Sequence, residues 1–254
     1  MPPDAVSGGL PGHREPELRG QTVVVIGASA GIGLETARRA RAEGASLVLT
    51  GRNPEALERA ASELDAASTA FDATDPAALQ QFFRDMPAPI DHVMVTAGRP
   101  HYGRILEMEF EQARRALDEH LMLMLDVARN AASRMKPGGT LLFMGGTGGR
   151  RPRIGLGIVS TVTAAMPALT ANLALELAPV RVNLIAAGFV DTPLSASLLG
   201  DQLDNRRAQL RATLPIGRVV GPADVAALAV HIMINTALTG ATFDIDGGQQ
   251  LVAG

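Results

Sequence analysis

The sequence predicts an α/β protein with a doubly wound parallel sheet, a Rossmann fold, in a single domain. The first observation is length, because 254 residues suit one well-buried domain better than two. The second is an alternation of short apolar runs with helical patterns from residue 22 onward, which indicates βαβ units. The third is a glycine-rich turn directly after the first apolar run. Residues 1–20, rich in proline and glycine, are predicted to be a flexible tail before a domain at 21–254.

Strand and helix patterns alternate along the whole domain. In order they are TVVVIG, ETARRARAEG, SLVLTG, PEALERAASEL, TAFDA, DPAALQQFFRDM, HVMVTAG, a helical stretch over 108–135, TLLFMGG, a helix over 159–177, VRVNLIAAG, helix-rich residues 194–235 and a strand near ATFDI. Right-handed crossovers would place helices on both faces of the sheet and ligands beyond the carboxyl ends of the strands. Binding and catalytic residues are therefore expected in the loops that follow the strands.

Composition excludes several classes of function. The chain has no cysteine, which rules out disulfides, thiolate metal sites and cysteine nucleophiles, and no metal site is predicted. A formal charge of −3 without a clustered basic face argues against a nucleic-acid partner. We find no secretory signal and no uninterrupted run of about 18 apolar residues, so no membrane association is expected. A cytoplasmic protein is predicted.

The turn after the first strand, IGASAGIG, is the first candidate binding loop. Its three glycines would let the backbone approach a pyrophosphate, while the following helix offers free N–H groups and a favourable dipole. The spacing is GxxxGxG instead of GxGxxG, so a tight turn without a ligand is the alternative. The predicted cofactor-binding loop comprises Gly27, Ser29, Ala30, Gly31, Ile32 and Gly33.

The end of the second strand, SLVLTGRN, indicates which dinucleotide binds. An acidic residue there would bind the ribose hydroxyls of NAD(H), whereas an arginine accommodates the 2′-phosphate of NADP(H). The sequence has Thr50, Gly51 and Arg52 at this point and no acidic residue. NADP(H) is therefore the predicted cofactor. The alternative is that Arg52 is only a solvated surface charge.

Further motifs follow in a fixed order: FDATD at 71–75, VTAG at 95–98, RVNLIAAGFVDT at 181–192, IGRVVGPADVAALAV and TGATFDIDGGQQ. Together with the glycine loop they make the span from about 20 to 252 resemble the short-chain dehydrogenase/reductase family. The resemblance implies an NADP-dependent oxidoreductase acting on alcohols or carbonyls. It also implies that Asp72, Ala97 and Gly98 contact the cofactor and that Thr192 lies near the nicotinamide amide. A homodimer or homotetramer is implied, with the stretches 108–135 and 159–177 at the dimer interface.

The catalytic positions depart from this resemblance. The family carries Tyr-x-x-x-Lys on the helix after the fifth strand, a serine thirteen residues earlier and an asparagine in the preceding long helix. The matching positions here hold Val159 and Thr163, Gly146 and His120. The chain has one tyrosine, Tyr102, and its single lysine, Lys136, lies far from it, so no Tyr-x-x-x-Lys pair exists in any alignment.

This departure leads to three hypotheses of function. In the family the tyrosine protonates the developing alkoxide, with its pKa lowered by the lysine, and a valine has no proton to give. The first hypothesis is an NADP(H)-binding protein that has lost the ordinary hydride chemistry. The second is an oxidoreductase with a different proton donor. The third is a structural or regulatory subunit of an oligomer.

Two loops offer substitute groups. His101 and Tyr102 follow the fourth strand and border the expected cleft, and His120 faces it from the long helix, so Tyr102 and His120 are the candidate proton donors. The alternative is that all three are ordinary surface or helix residues.

In the loop after the fifth strand, GGRRPRIG carries three arginines that would suit a small anionic substrate, or form a solvated or intersubunit cluster instead. Pro167, inside the next helix, is expected to bend it.

Overall fold

The computed structural model describes residues 17–87 and 89–252. Most of the predicted tail, residues 1–16, lies outside the described residues. Residues 17–20 form a turn that packs on the domain, where Leu18 is fully buried and its N–H donates to the carbonyl of Glu43 at 2.9 Å.

The sheet has seven parallel strands in the order β3-β2-β1-β4-β5-β6-β7, which confirms the predicted doubly wound parallel sheet. The order reverses at β1, whose two neighbours are β2 and β4. This reversal opens a crevice at the carboxyl ends of β1 and β4. The strands are β1 Thr22–Ile26, β2 Ser46–Gly51, β3 Ala67–Ala70, β4 Ile90–Val95, β5 Met135–Gly146, β6 Arg181–Ala187 and β7 Thr242–Ile245.

Helices cover both faces of the sheet. They are α1 Gly31–Ala42, α2 Pro54–Leu64, α3 Pro76–Asp85, α4 Phe110–Leu117, α5 Leu123–Ala131, α6 Gly157–Glu176, α7 Pro193–Leu199, α8 Leu203–Thr213 and α9 Pro222–Ile234. Side chains of β1 alternate between the faces, so that Val24 and Ile26 enter the core beneath α3, α5 and α6. Val23 and Val25 enter the core beneath α1, α2 and α9.

The helical stretch predicted over 108–135 is not one α-helix. A π-helical turn, Asp118–Met122, separates α4 from α5, and the stretch ends before Met135, which already belongs to β5. Such turns insert an extra residue into a helix and often occur at functional sites. The inserted turn carries His120, one of the two candidate proton donors.

Strand β5 begins earlier than the predicted TLLFMGG. A register shift between Ile90 and His92 lets Met135 pair with Ile90 before the main ladder starts at Thr140. Lys136 therefore lies at the amino end of the strand, where its Nζ is 2.7 Å from a carboxylate oxygen of Asp91. The only lysine of the chain is thus at the edge of the sheet opposite the crevice.

Helix α6 continues through Pro167 as one helix from Gly157 to Glu176. An interior proline has no N–H to donate, so the carbonyl of Thr163 lacks its usual partner four residues on. By length and composition alone α6 would be able to span a membrane. In this fold it lies on the sheet and contributes Val162, Met166 and Leu173 to the core.

Candidate active site

Two loops meet at the carboxyl ends of β1 and β4. The N–H groups of Thr96 and Ala97 donate to the carbonyl of Ile26 at 2.8 and 3.1 Å. The hydroxyl of Thr96 donates to the carbonyl of Gly27 at 2.9 Å. The loop after β4 is thereby held against the glycine loop, so the two loops form one wall of the crevice.

The glycine loop requires glycine for steric reasons. Gly27 and Gly31 have φ of 97° and 58°, in the left-handed region that other residues rarely adopt. A Cβ at Gly33 would lie 2.2 Å from the carbonyl oxygen of Gly27, so the first turn of α1 packs directly on the end of β1. The N-cap residue of α1 is Ala30, and its methyl side chain cannot accept a hydrogen bond from the first N–H groups of the helix. These groups remain available to an anion, and the close approach that the glycines allow fits a pyrophosphate.

The end of β2 continues this wall toward the position expected for the adenosine. Ser29 lies beside Gly51, where an added Cβ would be 3.4 Å from the serine side chain. Arg52 follows, exposed and without a hydrogen bond or ion pair to the residues that the structure describes. Burial alone would raise the pKa of Asp72, but hydrogen bonds from the N–H and hydroxyl of Thr74 and the charge of Arg52 hold it below its ordinary value. Asp72 is therefore an ionised acceptor fixed beside a free cation.

A cavity of about 670 Å³ adjoins the glycine loop and extends beyond the carboxyl ends of β5 and β6. The structure brings some of the predicted site residues to it, whereas seven lie outside its lining: Gly27, Ser29, Ala30, Gly31, Gly33, Arg52 and Asp72. The predicted residues that line it are Ile32, Ala97, Gly98, Tyr102, His120, Gly146, Val159, Thr163 and Thr192.

All four positions that the resemblance matches to the family's catalytic residues line this cavity, among them Gly146, Val159 and Thr163. A Cβ at Gly146 would be 3.3 Å from the methyl group of Thr163, one helical turn from Val159. The Thr163 hydroxyl donates to the carbonyl of Val159 at 2.8 Å within α6. Gly146 has no side chain, Val159 has no acidic proton, and the Thr163 hydroxyl already donates within its helix, so none of the three positions offers a free proton to a bound molecule. Thr147, which was not predicted from the sequence, follows Gly146 and also lines the cavity.

His120 is held as a neutral imidazole. Its Nδ1 lies 3.0 Å from the carbonyl of Ala116, an acceptor, so Nδ1 carries the proton and Nε2 is an acceptor in the neutral ring. Burial lowers the pKa of His120 and outweighs the opposite effects of that hydrogen bond and of Glu119. At neutral pH the ring accepts a proton more readily than it donates one.

Tyr102 is half exposed at the cavity wall, with 52% of its surface accessible. Desolvation raises the pKa of its phenol, and the positive charge of Arg206 partly offsets that rise. The phenol is therefore protonated at neutral pH and able to donate. Of the two candidate donors, Tyr102 is in the protonation state that carbonyl reduction needs.

His101 has a different position from its neighbour. It is buried and does not belong to the cavity lining. Its Nε2 lies 3.2 Å from Oε2 of Glu119, which also accepts the N–H of Arg99 at 3.2 Å. His101 thus attaches the loop after β4 to the π-helical turn that carries His120.

The arginines predicted to hold an anion are divided by the structure. Arg150 pairs with Asp244, with one oxygen 2.8 Å from its Nη2, and does not line the cavity. Arg151 and Arg153 do line it, and so does Arg206 from α8. Sequence reasoning missed Arg206, because α8 is a polar helix with no motif that marks which of its arginines faces inward.

A family model described as enoyl-(acyl carrier protein) reductase matches residues 27–250 of this chain. The short-chain dehydrogenase/reductase ATR9 of Stachybotrys chlorohalonatus is 27% identical, over 92% of this chain and 98% of its own. An NADP-dependent (R)-specific alcohol dehydrogenase of Lentilactobacillus kefiri is 28% identical, over 91% of this chain and 97% of its own.

Solved structures agree with these sequence relatives. The MalC reductase/Diels-Alderase of Malbranchea aurantiaca superposes with a TM-score of 0.86 at 26% identity, covering 93% of this chain and 99% of that one. A small-chain dehydrogenase in complex with NADPH superposes with a TM-score of 0.79 at 27% identity, covering 91% of this chain and 99% of that one.

Substitution of Gly33 by alanine tests the steric requirement of the glycine loop. The new Cβ would meet the backbone of Gly27 at 2.2 Å, so the start of α1 must move away from β1. We expect NADPH to bind at least roughly tenfold more weakly, since the N–H groups lose their alignment. Fluorescence titration with NADPH measures the effect. Gly221→Ala is the control, because its Cβ meets nothing closer than 3.9 Å. Equal affinity in the two variants would contradict the steric argument.

Proposed function

This chain belongs to the short-chain dehydrogenase/reductase family of oxidoreductases, and from that premise we propose that it binds NADP(H) and lacks the family's ordinary tyrosine–lysine proton delivery. The cofactor would lie with its pyrophosphate on the glycine loop and its nicotinamide in the adjoining cavity. The proposal separates two properties, binding of the dinucleotide and proton transfer, which different residues govern.

Binding of NADP(H) is supported from two directions. The glycine loop leaves the amino end of α1 uncapped and sterically open, and Arg52 is a free cation where a 2′-phosphate would lie. Among similar proteins, one relative is named NADP-dependent and one similar structure is an NADPH complex. The residues proposed to hold the cofactor are Gly27, Ser29, Ala30, Gly31, Ile32, Gly33, Arg52, Asp72, Ala97, Gly98 and Thr192.

The absence of tyrosine–lysine proton delivery is supported by the contact between Gly146 and Thr163 beside Val159. A bound NADPH would supply a hydride, but the alkoxide that forms also needs a proton. Val159 has no proton, and the Thr163 hydroxyl already donates to a carbonyl of its own helix. Gly146 contributes at most its backbone N–H, a weaker stabilisation of developing charge than a serine hydroxyl. The ordinary mechanism of the family is therefore absent from these positions.

Titration of the purified chain with NADPH and with NADH tests the cofactor proposal. We expect NADPH to bind more tightly, and Arg52→Ser to weaken NADPH by roughly tenfold or more while leaving NADH unchanged, because only NADPH carries the 2′-phosphate. Arg59→Ser, an exposed position on α2, is the charge-matched control. Equal affinity of the two dinucleotides would refute the assignment of Arg52. No binding of either would leave a structural or regulatory subunit as the function.

A second candidate function is supported by the position of Tyr102. Its protonated phenol lines the same cavity as the replaced positions. The charge of Arg206 acts on Tyr102 in the direction in which the lysine acts in the family, but it offsets only part of the rise in pKa that burial causes. In this alternative the chain is a carbonyl reductase in which Tyr102 donates the proton. His120, as a neutral acceptor, would instead take a proton in the reverse direction, the oxidation of an alcohol.

Nicotinamide absorbance in the presence of a panel of ketones and aldehydes separates the two candidates. If the chain is a reductase, Tyr102→Phe should lower kcat by about 10²-fold or more, because general acid catalysis is typically worth that much. His231→Ala is the control, since His231 is exposed on α9 and lies outside the cavity lining. If no carbonyl is reduced by the wild-type protein although NADPH binds, the first proposal holds. Unchanged kcat in Tyr102→Phe together with a loss in His120→Ala would transfer the role to His120.

We also propose that the protein is a homo-oligomer in the cytoplasm. Several large apolar side chains are exposed on the outer surface of α4, the π-helical turn, α5 and α6. These side chains, Phe110, Leu117, Met122, Leu125 and Leu175, form what we term the outer apolar face. The cytoplasm is proposed as the default location because the chain has no cysteine that would indicate an oxidising compartment.

A charge placed on the outer apolar face tests the oligomer. We expect the wild-type chain to elute as a dimer or tetramer in size-exclusion chromatography with light scattering. Leu125→Glu should shift it toward the monomer, because burying an unpaired carboxylate in an interface is costly. Gln80→Glu adds the same charge on an exposed position of α3 and should leave the mass unchanged. A monomeric wild type would contradict the proposal.

A further inference from the structure

The charges of the large cavity have only one sign. Three arginines line it, Arg151, Arg153 and Arg206, and among the residues that the structure describes no aspartate or glutamate does. The guanidinium of Arg151 is partly satisfied, since it donates to the carbonyl of Gln249 at 2.8 Å. The other two have no such backbone acceptor, and they determine what the cavity attracts.

Arg206 approaches the cavity from α8 without a carboxylate partner. Its guanidinium lies 5.9 Å from the centre of the Phe189 ring and donates to the side-chain oxygen of Gln209 at 2.7 Å. Burial, together with the repulsion of Arg153, lowers the pKa of Arg206. Arg153 makes no side-chain hydrogen bond or ion pair within the described part of the chain. Two cations thus act on each other with no anion to compensate them.

Other arginines near the cavity, in contrast to Arg153 and Arg206, have carboxylate partners. Arg207, the next residue on α8, binds both oxygens of Asp191 at 2.9 and 2.8 Å. Arg150 pairs with Asp244, and Arg218 pairs with Asp224. Arg150 and Arg207, from the same loop and helix as the cavity arginines, are therefore neutralised and do not line the cavity. Arg153 and Arg206 line it and retain hydrogen-bond donors for a ligand that brings its own negative charge.

Much of the cavity wall is apolar, and polar side chains such as Gln209 and Ser195 line it in between. Ile154 from the loop after β5 lines it together with leucines of α7, of α8 and of the residue after α8, namely Leu194, Leu198, Leu199, Leu210 and Leu214. A ligand that satisfies both parts of the wall needs a hydrocarbon body and an anionic end. A fully polar sugar would leave the leucines exposed to water, and a neutral lipid would leave the guanidiniums unpaired.

We propose that the ligand of this cavity is an organic acid with an apolar body, whose carboxylate or phosphate binds between Arg153 and Arg206. The inference deepens the proposed function, since the same cavity would receive the nicotinamide. It does not depend on turnover, because the arginines and leucines form the pocket whether or not hydride is transferred. Arg206 also acts on Tyr102, so the anionic end would be held near the one phenol in the cavity.

Calorimetric titration of the full chain with octanoate, octyl phosphate and octan-1-ol, with and without saturating NADPH, tests the proposal. The three probes share one apolar chain and differ in the polar end. We expect one of the anions to bind at least roughly tenfold more tightly than the alcohol, and Arg153→Gln and Arg206→Gln each to remove roughly tenfold or more of that affinity. The better of octanoate and octyl phosphate identifies the anionic group.

Matched variants make the result decisive. Arg211→Gln removes the same charge from an exposed position on α8 and should leave anion binding unchanged. If it weakens the anions as much as Arg206→Gln does, or if alcohol and anions bind equally, the proposal is wrong. If Arg206→Gln weakens NADPH itself and NADPH competes with the anions, the arginines serve the cofactor and the proposal is also wrong. If NADPH fails to bind but the anions bind more tightly than the alcohol and lose affinity in Arg153→Gln and Arg206→Gln, the proposed function fails and this inference stands.

Discussion

The close contact between Gly33 and the carbonyl of Gly27 is the constraint on which the site depends. Any Cβ at Gly33 would lie 2.2 Å from that oxygen, so α1 can rest on the end of β1 only because no side chain intervenes. The same carbonyl accepts the hydroxyl of Thr96, which attaches the loop after β4 to the turn. One backbone oxygen thus positions the uncapped end of α1 and the wall formed by Ala97 and Gly98. The cavity beyond β5 and β6 opens directly from this junction.

The sequence was sufficient for the layered architecture, since the alternation of apolar runs with helical patterns fixes a parallel sheet covered on both faces. Local irregularities were not predictable from it. Within the π-helical turn Asp118–Met122 the carbonyl of Glu119 lies against Gly98, a contact between distant parts of the chain. The early start of β5 accompanies a register shift between Ile90 and His92. Both features lie at contacts between distant parts of the chain, which have no periodic signature in the sequence.

The site, too, was predictable where a local sequence motif marks a residue and not where tertiary contacts orient a side chain. Motif spacing placed the glycine loop and identified Gly146, Val159 and Thr163, and in the structure these three lie together on the cavity wall. Which charged side chains face the cavity could not be read from spacing. Arg150 lies beside Arg151 in the chain but turns to Asp244, and Arg206 enters the cavity whereas Arg207 binds Asp191. Adjacent arginines have opposite environments because their neighbours come from other elements.

The packing of Gly146 against Thr163 bears on any attempt to engineer the family's usual catalytic residues into this chain. A serine at 146 would press its Cβ to 3.3 Å from the threonine methyl, so the threonine would have to shift by a few tenths of an ångström. A tyrosine at 159 alone would have a threonine, not a lysine, one turn further along α6. Positions 146, 159 and 163 would therefore have to be exchanged together.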